Sequence, residues 1–114
     1  MNITELCYLD RVSFNGKTIV VTGIDGTFNE VTDEFHNIYD ASVLSPIEVT
    51  DEILLLNGFK RSGKVFVFQD CVVYDSGRIE FLLSKESFFV KSAHELQHVM
   101  NKLYPDFSRY FCTM

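Results

Sequence analysis

Thr50-Asp51-Glu52-Ile53-Leu54-Leu55-Leu56-Asn57-Gly58-Phe59 is a short helix with both ends marked. The Thr50 hydroxyl can accept a hydrogen bond from an early unpaired backbone N–H. Asp51 and Glu52 place negative charge in the first turn, where the helix dipole favours it. Val49 and Leu54 occupy the two positions of a hydrophobic staple. Gly58 can take the left-handed conformation that ends a helix. Two turns do not persist alone in water, so tertiary packing must hold them. Ile53 to Leu56 are apolar nearly all round. The pattern predicts a helix wedged between a layer that precedes it and one that follows, with Leu54 and Leu55 both buried.

Upstream, Arg11–Thr22 is a hairpin around Asn15-Gly16, a pair that tolerates the positive φ angles of a type I′ turn. A two-residue turn pairs Phe14 with Lys17 and Val12 with Ile19. Val12, Phe14, Ile19 and Val21 then share one face, the mark of a half-buried antiparallel pair. A longer loop is expected after Asp25, then short strands within Thr27–Thr32 and Ile38–Leu44. Such spacing suggests a small barrel-like β unit over residues 1–48.

Downstream, residues 49–114 read as the helix, a three- to four-stranded antiparallel meander, and a second helix. Turns are expected at Ser62-Gly63, Gln69-Asp70 and Ser76-Gly77. With two-residue turns, Val65, Val67, Val72, Tyr74, Ile79 and Phe81 lie on one face and Phe66, Phe68, Cys71, Val73 and Leu82 on the other. Both faces would then need covering. Ser92 with Glu95 three residues on is a capping box, and Leu96, Val99, Met100 and Leu103 form an apolar helical stripe. The expected class is α+β.

The 114 residues are 46% hydrophobic, which disfavours disorder. No apolar run approaches the ~18 residues of a membrane span, and the first ten residues lack a basic signal region, so a cytoplasmic protein is expected. Cys7, Cys71 and Cys112 form no C-x-x-C pair and read as reduced, packed thiols. The net charge of −6 is uneven: residues 1–52 carry −8 and the remainder +2. That balance disfavours a nucleic-acid backbone, which wants a basic stripe, and suits a basic protein partner.

His94-Glu95-Leu96-Gln97-His98 matches H-E-x-x-H, the helical zinc motif of metallopeptidases. Three features oppose that chemistry. Nothing downstream supplies a third histidine ligand. The helical stripe turns both histidines towards water, and Cys7, Cys71 or His36 would have to reach that solvent face. The pattern is also short enough to arise by chance. No metal and no cofactor is expected. Phe28, Phe35 and Tyr39 would close the small barrel or, exposed, fill a partner's pocket. With Glu30, Asp33, Glu34 and Asp40 they form the candidate partner-binding surface.

Arg11, Val12, Asn15 to Lys17, Val21, Gly23 and Ile24, then Pro46, Ile47, Thr50, Glu52 to Leu55 and Asn57 to Phe59, then His94 to Gln97, make up a pattern over most of the chain. It resembles a widespread group of small proteins encoded in phages, prophages and mobile elements of gut-dwelling bacteria. In that group the position of His98 is more often asparagine, which weighs against zinc chemistry. The resemblance implies a mobile-element origin and no assigned activity. The expected function is that of a non-enzymatic binding protein engaging a host or phage protein in the bacterial cytoplasm. The alternatives are a protein sequestering a nucleotide signal of host defence and a minimal zinc metallopeptidase.

Overall fold

The structure is a computed structural model and describes residues 1–113. The fold is α+β, with two antiparallel sheets and few helices. The first sheet runs β1 (Arg11–Phe14), β2 (Lys17–Asp25), β3 (Glu30–Asp33) and β4 (Ile38–Asp40), in that spatial order. Asn15 and Gly16 both take positive φ, and Phe14 pairs with Lys17 and Val12 with Ile19. The longer loop after Asp25 is present, with Asp25 opposite Glu30. β2 carries a register shift between Val21 and Gly23, where the Thr22 hydroxyl donates to the carbonyls of Thr32 and Asp33. A bulge increases twist, so one long strand pairs β1 with its first half and β3 with its second. A bridge from Ser13 to Ser45 brings the chain after β4 back to β1 and gives the sheet its half-barrel curl.

The second sheet has five strands: β5 (Lys60–Ser62), β6 (Val65–Phe68), β7 (Cys71–Val73), β8 (Arg78–Phe81) and β9 (Ser87–Phe89). The polar segment Lys60–Ser62 shows no apolar alternation, so its strand was not legible. It pairs as an exposed edge with β6. The expected register fails at one turn. Val73 pairs with Ile79 and Cys71 with Phe81, which makes Asp75-Ser76-Gly77 a three-residue loop. Shifting by one residue flips every later side chain to the other face. Ile79 and Phe81 therefore join Phe66, Cys71 and Val73 on a single buried face, and only that face needs full cover. Gly77 makes this possible. Its φ is +86°, and a Cβ there would lie 2.5 Å from the Val90 carbonyl oxygen.

Helix α1 spans Asp51–Leu56 and is capped as read, the Thr50 hydroxyl accepting from the Ile53 N–H. It ends in a Schellman motif: the Phe59 N–H donates to the Leu54 carbonyl and the Gly58 N–H to that of Leu55. The expected wedge is absent. Ile53 and Leu54 enter the core of the second sheet, whereas Leu55 is 53% exposed and Leu56 51%. A six-residue helix covering one sheet needs only one flank. Leu55→Ala is accordingly expected to change stability by no more than about 0.5 kcal/mol. A urea unfolding curve showing a loss above ~2 kcal/mol would mean that another surface covers Leu55.

Helix α2 spans Ala93–Met100. Ala93, Leu96, Val99 and Met100 pack on the second sheet. Leu103 falls beyond the helix and is exposed, contrary to the expected stripe. The buried apolar side chains form two clusters. One lies under the second sheet and α2. The other comprises Leu6, Val12, Ile19, Val21, Val31, Ala41 and Leu44. Cys71 is packed as expected, and burial pushes its thiol pKa up to about 12. Cys7 and Cys112 are exposed, which corrects the reading of all three as packed thiols.

Candidate functional site

The site lies where α2 meets the first sheet. α2 has two covered faces. The side opposite its apolar stripe is largely covered, because the segment Leu9–Arg11 lies against it. The Gln97 side chain is fully buried there. Its oxygen accepts from the Arg11 N–H at 2.9 Å, and its nitrogen donates to the Leu9 carbonyl at 2.8 Å and to the Ser108 hydroxyl at 3.2 Å. The Arg11 guanidinium donates to the carbonyls of Leu9 and Ser108. Burial lowers the Arg11 pKa, with nearby acids opposing the shift.

His94 is buried and His98 is partly buried, which corrects the outward reading. His94 is 5% exposed, with Nδ1 3.1 Å from the Ser92 hydroxyl. Burial holds its imidazole below the ordinary range, and Asp10 opposes this. His98 is partly buried, and its Nε2 lies 2.7 Å from Asp10 Oδ2. That hydrogen bond raises the His98 pKa against the effect of burial. Glu95 is committed elsewhere. Its Oε1 accepts from the N–H groups of Lys91 and Ser92 and from the Ser92 hydroxyl, completing the capping box. Burial pushes the Glu95 carboxyl up, but these bonds outweigh it and hold the group below its ordinary range. Glu95 Oε1 is thus taken up by the helix cap.

Cys7 does reach α2, contrary to expectation. Leu9 takes a positive φ of 71°, and the Cys7 N–H donates to Asp10 Oδ2 at 2.8 Å. One ligating atom each from Cys7, Asp10 and His98 lies within 4.8 Å of the other two. Burial and the Asp10 charge raise the Cys7 thiol pKa. His98 is 88 residues from Asp10 in sequence. The only local signal was Cys7-x-x-Asp10, which is too common to single out.

Beside this cluster a groove of about 1080 Å³ is walled by the N-terminal segment, the stretch from Leu44 to Leu54, the second sheet and the first turns of α2. Glu5, Glu48, Asp51, Asp75 and Glu95 line it, against Lys91 and the Met1 amine. The Met1 amine is held by the Ala41 carbonyl. Leu54, Phe66, Val73 and Val90 supply apolar surface, and His94 and His98 form part of the wall. The groove was not legible because its acids come from four separated segments.

The candidate surface read from the sequence is divided by the fold. Phe28 and Glu30 lie at one end of β3, and Glu34 and Phe35 at the other. Phe28 is 69% exposed and Phe35 70%, so neither closes the barrel. Asp33 is buried and structural, which removes it from any partner surface. Its carboxylate accepts from the N–H groups of Phe35 and Asn37, the Asn37 amide and the Tyr39 hydroxyl. Burial pushes this carboxyl up, but those bonds prevail and hold it low. Tyr39 is half-buried, packs tilted with its centroid 4.9 Å from that of Phe14, and has its phenol pKa raised by the bond to Asp33. Asp40 caps the following turn through the Ser42 N–H and hydroxyl, which lower its pKa.

No helix is long and apolar enough to cross a membrane among the described residues. Neither a family model, nor a curated protein, nor a solved structure matches the chain.

Proposed function

We propose that this is a non-enzymatic binding protein that receives a basic, extended segment of a protein partner in the acidic groove beside α2. The observation carrying this reading is the lining of that groove: five carboxylates against one lysine and the terminal amine, over apolar surface. Carboxylates accelerate encounter with Lys/Arg-rich segments, and apolar surface adds affinity after contact. The capping role of Glu95 and the turn of His94 towards Ser92 oppose a metallopeptidase. A nucleotide signal fits less well, because its phosphates would meet carboxylates. In the mobile-element setting that the sequence resemblance implies, the partner would be a host or phage protein.

A fluorescent Lys/Arg-rich peptide should bind, and an acidic peptide of equal length should not. Association should slow as salt rises beyond 0.1 M, where the Debye length is ~10 Å. The double reversal Glu48→Lys and Asp75→Lys should slow it by about tenfold. A salt-independent on-rate, or equal binding of both peptides, would remove the groove from the account.

A further inference from the structure

We propose that Cys7, Asp10 and His98 form a binding site for a divalent ion of the zinc type. The ion would clamp the segment before β1 to α2 beside the groove. The donor set is one thiolate, one carboxylate and one imidazole, which suits a borderline-soft ion and disfavours calcium or magnesium. The three ligating atoms already lie within 4.8 Å of one another. Ligands at 2.0–2.3 Å around a tetrahedral zinc stand about 3.3–3.8 Å apart, so side-chain adjustment alone closes the site.

A second observation points to a cation. Asp10 has no exposed surface, and its Oδ1 is buried without a hydrogen-bond partner among the described residues. A buried carboxylate oxygen left unpaired is costly, and an ion held by both oxygens of the Asp10 carboxylate would satisfy it. Asp10 Oδ2 accepts from the Cys7 N–H and from His98 Nε2. Zinc would take the place of the thiol proton on Cys7 Sγ and of the proton between Nε2 and the carboxylate. Three protein ligands leave a fourth position for water. The site borrows only His98 from the H-E-x-x-H stretch, since His94 and Glu95 are engaged by the helix cap.

The test is titration of the purified, reduced full chain with zinc alone, followed by cobalt(II) as a spectroscopic substitute. One zinc should bind per chain, and the cobalt form should show a thiolate-to-cobalt charge-transfer band. Cys7→Ser removes an exposed thiol, so the fold should persist. The variant should lose the band and weaken zinc binding more than the 10–100-fold typical of losing an outer partner. His98→Asn can still bond to Asp10 and should weaken zinc equally. Cys112→Ser should leave both readouts unchanged. A missing band, or zinc affinity unchanged in Cys7→Ser, would overturn the site. Equal losses in Cys112→Ser and Cys7→Ser would reduce it to adventitious thiol binding and overturn it as well.

Discussion

Phe59→Ala is expected to cost about 3–5 kcal/mol. Phe59 is 1% exposed and follows directly on the Schellman turn that ends α1. Its ring lies 5.1 Å from that of Phe68 and 6.4 Å from that of Phe107. Phe68 in turn meets Tyr104 at 5.0 Å, and Phe107 meets Phe111 at 5.5 Å. One ring thus joins α1, β6 and the tail after α2. Truncating it leaves a cavity that these elements cannot all close, because the sheet fixes Phe68 and the helix cap fixes the backbone of residue 59. The loss would be a large share of the 5–15 kcal/mol that holds a domain together. Urea unfolding monitored by tyrosine fluorescence and circular dichroism measures it. A loss below about 1 kcal/mol would show that the aromatic cluster repacks and does not anchor the second sheet.

Gln97→Ala is expected to cost about 2–4 kcal/mol, the sum of a buried cavity and an unpaired Arg11 N–H. The Leu9 carbonyl keeps the Arg11 guanidinium and the Ser108 hydroxyl keeps the Asn101 amide, so one donor alone is stranded. The effect should appear at the junction. Amide hydrogen exchange should accelerate first in residues 9–11 and 97–101, before either sheet opens. Uniform acceleration across both sheets would mean that the junction has no separate stability. Unchanged exchange at Arg11 would mean that water replaces the amide at no cost.

These two positions show why some of the structure was legible and some was not. Phe59 belongs to a local pattern. Thr50, Gly58 and the aliphatics between them mark the helix within ten residues, and each signal acts on backbone groups three to five residues away. Gln97 gave no such sign. A glutamine on the polar side of a helical stripe reads as solvent-facing, and only a segment almost ninety residues distant turns that side into an interior. The same cause misplaced His94, His98 and Cys7. Leu55 failed in the opposite sense, since an apolar residue on a short helix is buried only if a second layer arrives, and none does.

The Asn15-Gly16 hairpin and its register, the caps of both helices and the tight reversal at Gln69-Asp70 were legible in the chain, and the α+β class follows from their order. In each case the deciding interaction lies within a few residues: a positive φ that few side chains tolerate, or a hydroxyl within reach of an unpaired N–H. Tertiary structure alone decided the three-residue loop at Asp75–Gly77, where the Val90 carbonyl occupies the space a side chain would need. It also decided which faces of α2 are covered, the acidic groove beside that helix, and the meeting of Cys7, Asp10 and His98. Those features depend on how distant backbones pack, and spacing along the chain carries no record of that.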